Sequence, residues 1–294
     1  MTATHRDEPH DHDRGLFFDL TTMAGRRLDR RLMDRRRALQ MVGGAGLVAL
    51  FGCGSDDGGG AAASSSTTTT GSPSTTAGSG AATDSSDCSP IPEETAGPYP
   101  GDGSNGPNVL TEDGIVRQDI RPSFGSATGL AEGVAATLDL AILDTSNGCA
   151  PLAGAAVYVW HCDRDGQYSL YSPGATDENY LRGVQETDSA GAVTFTSIFP
   201  ACYPGRWPHI HFEVYASVAD ATGGAGPLAT SQVALPEDVC NQAYGADGYD
   251  QSVTNLAQVS LEADNVFGDG AAQQLASVTG GVDDGFVIGL SVPV

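Results

Sequence analysis

The segment Trp207-Pro-His-Ile-His-Phe-Glu-Val-Tyr215 carries the sharpest chemical signal in the chain, two histidines one residue apart. In a β-strand alternate side chains face the same way, so His209 and His211 would point to one side with backbones ~6–7 Å apart. In a helix the same spacing would swing them apart by roughly 200°. The opposite parity, Ile210, Phe212 and Val214, is apolar and suits a core. Two imidazoles presented together on an apolar-backed strand make half of a metal site. Outside the first 12 residues the chain has three histidines, His161, His209 and His211, so two of the three form this pair.

Two tyrosine-bearing loops stand near the pair in sequence. Pro200-Ala-Cys-Tyr-Pro-Gly-Arg-Trp-Pro208 has three prolines and a glycine, which predicts a rigid loop delivering Tyr203 and Arg206 to the start of the histidine strand. His161-Cys-Asp-Arg-Asp-Gly-Gln-Tyr168 follows a strand ending at Trp160. The plainer reading of these tyrosines is partly buried β residues.

The elements that must position these groups read as β throughout. Residues 134–143, 154–160, 180–187, 192–198, 207–215, 229–235 and 286–292 have strand-like alternation or β-rich composition. The turn Asp188-Ser-Ala-Gly191 predicts a hairpin between the third and fourth of these. Glu262 to Leu275 has room for a short helical piece. Short strands punctuated by Gly, Pro and Asn predict an all-β sandwich or barrel.

Charge divides the chain. Nine of the 14 arginines and seven of the 37 acids precede Cys53, and there is no lysine. From Cys53 onward 30 acids face five arginines, a formal charge of −25 that repels nucleic acid and anionic membranes. Residues 1–53 read as an export signal. Asp34-Arg-Arg-Arg-Ala-Leu-Gln40 resembles a twin-arginine motif, and the apolar stretch Met41 to Phe51 is too short to span a bilayer. Leu50-Phe-Gly-Cys53 resembles a lipobox, which predicts lipidation at Cys53 and a place on the outer face of the membrane, or secretion. Residues 54–87, almost wholly Gly, Ala, Ser and Thr, read as a flexible tether reaching roughly 30 Å. The globular domain is expected over 88–294. Its five cysteines, Cys88, Cys149, Cys162, Cys202 and Cys240, suit two disulfides and one free thiol, with the pairing undetermined. No C-x-x-C spacing supports zinc.

Four separated motifs then resemble one family, the intradiol ring-cleavage dioxygenases. They are Pro92-Glu-Glu-Thr-Ala-Gly-Pro-Tyr-Pro100, Gly154 to Tyr168, Leu181-Arg-Gly-Val-Gln-Glu-Thr-Asp188, and Phe195 to Phe212. The resemblance is strongest to secreted members with a Trp-His-Cys motif, here Trp160-His161-Cys162, which lack a helical dimerisation region. It implies a β-sandwich holding one non-heme Fe(III) through Tyr168, Tyr203, His209 and His211, with Tyr203 the displaced ligand. It implies Arg206 as an active-site arginine. Gln232 matches a family glutamine less closely, because the preceding loop differs in length. The implied partners are a catecholic substrate and dioxygen.

Elementary chemistry agrees with that ligand set. Ionising a free tyrosine at pH 7 costs about 4 kcal/mol, which a ferric ion offsets. Tyr171 and Tyr180 compete with Tyr168, whose place after the Trp160 strand and the Gly166 turn favours it. His161 reads as structural, and the scattered acids read as a solvated surface. A cupin-type metalloenzyme also uses His-x-His but needs a glutamate and a late histidine, whereas Glu213 sits only two residues on and no histidine follows. A non-catalytic tethered β-sandwich binding module is the other alternative. Oligomeric state and the particular catechol are not legible.

Overall fold

A computed structural model describes residues 88–294. The expected export signal, including Arg35, Arg36, Arg37 and Cys53, and the expected tether over 54–87 lie outside the described residues.

Among the described residues nine strands form two sheets. β1 (Ala135–Asp144), β2 (Ala150–Pro151), β5 (Ala192–Ile198), β8 (Ser277–Gly281) and β9 (Gly285–Pro293) make one, ordered β2-β1-β9-β8 with β5 also on β1. β1 and β9 run parallel, from Ala136 opposite Phe286 to Leu143 opposite Pro293, and the other pairings are antiparallel. β3 (Ala156–Trp160), β4 (Arg182–Glu186), β6 (His209–Tyr215) and β7 (Ala229–Ala234) make an antiparallel sheet ordered β4-β3-β6-β7. The all-β architecture thus agrees with the sequence.

The main core fills the space between the sheets. β1 alternates strictly, burying Ala136, Leu138, Leu140 and Ile142. They share a cluster with Val157 and Val159 of β3, Ile210, Phe212 and Val214 of β6, and Phe286 and Ile288 of β9. Truncating a side chain such as Phe212 to alanine there would cost about 3–5 kcal/mol.

β3 and β6 are buried on both faces. Their second face meets irregular chain, where Val109, Leu110 and Ile115 pack with Tyr158, Trp160, Tyr168 and Val184. An N-terminal arm covers the edge of β7, with the Glu94 amide donating to the Thr230 carbonyl and the Ser231 hydroxyl to the Pro92 carbonyl. Residues 115–120 run past the edges of both β4 and β5: Arg117 N–H donates to Val184 O and Ile120 N–H to Thr196 O. Polar side chains on this second face are therefore buried without entering the main core.

Several expectations are corrected. β4 and β5 form no hairpin, since β4 pairs with β3 and β5 with β1. Asp188 accepts from the Ala190 and Ala192 amides, and the tight turn it closes carries the chain from one sheet to the other. Residues 262–275 contain only a 3-10 turn at Phe267–Asp269. Three short helices appear instead, α1 (Val218–Gly223), α2 (Glu237–Ala243) and α3 (Asp250–Leu256), each too short for a visible hydrophobic period. β8 was also unforeseen. Among the described residues one disulfide forms rather than two, Cys88–Cys149, while Cys162, Cys202 and Cys240 are buried free thiols.

Candidate functional site

The second face of the four-stranded sheet carries an unbroken row of functional types. Arg182, Trp160, His211 and Gln232 stand opposite one another across β4, β3, β6 and β7. His209 is the next residue of that parity along β6. Trp160 stacks on the His211 ring at 4.9 Å with 5° between planes, which sets the orientation of the imidazole.

The tyrosine loops close over this row. Gly166 has φ +81°, and a Cβ there would lie 3.1 Å from the Tyr203 Cβ, so glycine both permits the turn and lets the two loops touch. The Tyr203 hydroxyl lies 3.2 Å from His209 Nε2, and His209 Nε2 lies 3.1 Å from His211 Nε2. The Tyr168 ring sits 5.9 Å from Tyr203 and 6.3 Å from His211, centroid to centroid. The structure therefore brings Tyr168, Tyr203, His209 and His211 together. The rival tyrosines are engaged elsewhere. Tyr171 accepts from the Gly101 amide and donates to the Asn105 carbonyl, and Tyr180 donates to Asp163. His161 bridges the Cys162 carbonyl and the Ser197 hydroxyl, as its structural reading expects.

Protonation follows from burial. His209 donates from Nδ1 to the Trp207 carbonyl, leaving the Nε2 lone pair facing Tyr203 and His211. Burial, reinforced by the Arg206 charge, pulls the His209 pKa down to about 3. Burial and then the neighbouring His209 hold His211 well below the usual histidine range. Both imidazoles are neutral at pH 7. Burial, then Tyr203, raises Tyr168 well above the usual tyrosine range.

The Tyr168 hydroxyl, His211 Nδ1 and Trp160 Nε1 are buried and make no hydrogen bond among the described residues. A buried phenol lacking a partner, beside clustered nitrogen and oxygen donors, fits a metal ion. Among the described residues no three of His, Cys, Asp and Glu gather in a metal-holding cluster, so a cation here needs the tyrosines. That speaks against the cupin-type arrangement; Glu213 instead accepts from Tyr215 at 2.6 Å.

Arg206 is buried and points its Nε at Asp264 Oδ2, 2.9 Å away, while its Nη2 donates to Gln232 Oε1 at 2.8 Å. Gln232 donates in turn to the Thr95 carbonyl. Asp264 also accepts from the Trp207, Val266 and Phe267 amides. Burial pushes the Asp264 carboxyl up, but the Arg206 charge and these donors outweigh it and hold its pKa below the usual carboxylate value.

Sequence reasoning missed Asp264, counting it among the solvated acids. Asp264, Glu213 and Asp163 are all buried, so that reading fails for these three. The available signal was Arg206 itself, an arginine among Cys202, Trp207 and three prolines, which requires a buried acceptor. Arg182 was missed as well. It is buried and donates to Ser169 Oγ and to the Pro100, Tyr99 and Ser169 carbonyls, tying the Tyr168 loop and the N-terminal arm to β4.

A family profile, Dioxygenase_C (Dioxygenase), matches residues 123–222. The chain is 34% identical over 95 residues to a chlorocatechol 1,2-dioxygenase of Rhodococcus opacus, covering 28% of this chain and 36% of that protein. It is 32% identical over 111 residues to a hydroxyquinol 1,2-dioxygenase of Corynebacterium glutamicum, covering 31% of this chain and 35% of that protein. The chain thus spans about a third of the length of the curated relatives it matches. An intradiol ring-cleavage dioxygenase structure from Tetranychus urticae superposes with a TM-score of 0.56 at 26% identity, covering 70% of this chain and 96% of that one.

Proposed function

Because the chain belongs to the intradiol ring-cleavage dioxygenase family, we propose that it opens catechol-type rings with dioxygen, cutting between the hydroxyl-bearing carbons to give muconate-type diacids. The observation that carries the reading is the contact of Tyr203 Oη, His209 Nε2 and His211 Nε2, with the partnerless Tyr168 phenol beside them. Tyr168, Tyr203, His209 and His211 would hold Fe(III), a hard cation that favours phenolate where burial alone keeps Tyr168 protonated. When bound, the ion supplies Lewis acidity and draws ring electron density into reaction with dioxygen.

The protein's own groups bind, orient and move protons. The imidazoles enter neutral, so no proton must leave them. Tyr203, on the outer loop, would be a phenolate when it holds the ion and would then take one proton at Oη from the incoming diol, while the deeper Tyr168 would stay in place. Arg206 stabilises negative charge developing on the substrate ring, and Asp264 and Gln232 fix its guanidinium for that task. The Cys88–Cys149 bridge supports export, since such bridges persist in oxidising compartments. Lipid anchoring at Cys53 is the matching expectation, read from the mass of protein recovered from membranes against that of Cys53→Ser.

The test is a visible spectrum of the iron-loaded full chain. A tyrosinate-to-Fe(III) band should appear and move to longer wavelength when catechol is added without oxygen. Admitting oxygen should then yield the ring-opened diacid. A folded, iron-loaded protein without such a band would overturn the reading.

A further inference from the structure

The site must handle its substrate's charge with a very small stock of cations. The chain has no lysine, and only five arginines follow Cys88. Each is committed. Arg206 pairs with the buried Asp264. Arg182 spends its donors on the Tyr99, Pro100 and Ser169 carbonyls and the Ser169 and Tyr158 hydroxyls. Arg117 does the same with the Arg182, Pro122 and Asn179 carbonyls. Arg121 takes Asp119 with both Nε and Nη2. Arg164 pairs with Glu132 and is flanked in sequence by Asp163 and Asp165.

The surroundings are negative as well. Asp163 and Asp165 flank Arg164 on the 161–168 loop, whose Gly166 abuts Tyr203, placing two acids against one base beside the tyrosine pair. A cleft of about 190 Å³ next to that loop is lined by Glu132, Asp163, Arg164, Asp165 and Tyr180. Apart from Arg206, whose charge Asp264 already balances, a carboxylate on the substrate ring would meet no cation among the described residues that is not ion-paired or hydrogen-bonded elsewhere, and a buried unpaired charge is costly.

We propose that the site takes catechols whose rings carry no anionic substituent and rejects dihydroxybenzoates. This rests on the ring-opening function proposed above and narrows its substrate class. Discrimination here comes from repulsion and an unmet charge rather than from shape.

The test compares four diols on the iron-loaded full chain: catechol, 4-methylcatechol, 3,4-dihydroxybenzoate and its methyl ester. Anaerobic binding is read from the visible spectrum and turnover from oxygen uptake. The ester is bulkier than the acid and withdraws ring electrons at least as strongly, so size and ring reactivity both favour the acid. Charge alone favours the ester. The expected result is a kcat/KM for the acid at least about 100-fold below that of the ester, ~2.7 kcal/mol at 1.36 kcal/mol per decade. The gap should narrow as salt rises. Equal turnover of acid and ester, with catechol cleaved, would overturn the charge inference and leave the ring-opening function standing. Failure of all four diols to bind or react would overturn both.

Discussion

Replacing Asp264 by alanine separates what the Arg206 ion pair does for folding from what it does for chemistry. Both partners are essentially inaccessible to solvent, with side-chain exposures of 1% and 0%. Removing one partner of such a pair leaves a buried charge uncompensated and costs about 3–5 kcal/mol. Asp264→Ala also strips acceptors from the Trp207, Val266 and Phe267 amides, which places the loss at the upper end. For a domain of this size about 1 kcal/mol moves Tm by roughly 2–4 °C, so a fall of 10 °C or more is expected in thermal unfolding followed by circular dichroism. Removing both charges, Arg206→Met with Asp264→Leu, should recover much of that stability, because apolar replacements of buried pairs are often neutral. Catechol turnover should not recover, since no cation would remain against the substrate ring. Two results refute the reasoning. A single variant as stable as the parent would show that the pair is not buried as described, and a double variant with full activity would remove Arg206 from the chemistry.

Further outcomes follow from other groups. Burial pulls the His161 pKa down to about 4, below its unfolded value near 6.5, so His161 contributes full stability above pH 6.5. That contribution, about 3 kcal/mol, should be lost as pH falls from 6.5 towards 4, and urea titrations of His161→Asn should show a shallower slope by about one proton. Gly166→Ala combines strain at φ +81° with a contact at 3.1 Å on Tyr203; it should cost about 1–2 kcal/mol and weaken the visible band of the iron-loaded protein. Tyr168→Phe should remove a phenolate donor and lower iron retention during dialysis against a chelator, while leaving the fold intact. Cys88→Ser opens a 61-residue loop, worth up to about 4 kcal/mol on the chain-entropy estimate, and should lower the urea midpoint without altering the visible band.

The strand carrying His209 and His211 was legible because its two parities differ in kind. Apolar residues at 210, 212 and 214 need a core, and polar residues at 209, 211 and 213 need something else to face. Tyr168 and Tyr203 stood out through fixed spacing from recognisable motifs, and Gln232 through a looser family match after a loop of different length. Other features were written at long range. Asp264 stands 58 residues from its arginine, and nothing in its own neighbourhood marks it as buried. The turn at 188–191 reads equally well as a hairpin or as a passage between sheets, since an aspartate accepting from amides two and four residues on serves both. Disulfide pairing depends on where Cys88 and Cys149 lie in space, at a Cα separation of 5.8 Å, and an odd cysteine count could not reveal that three thiols would be buried apart from them.

The bridge at Cys88 also decides where mechanical load enters the molecule. It joins the first described residue to the turn beyond β1, a strand that pairs with β2, β5 and β9. Tension arriving along the chain from residues before Cys88 is therefore passed sideways through the sulfurs into the five-stranded sheet. The arm that follows, from Ile91 to Pro100, is spared that pull. Thr95, which holds Gln232, and Pro100, which holds Arg182, can keep their places while the chain upstream is tugged.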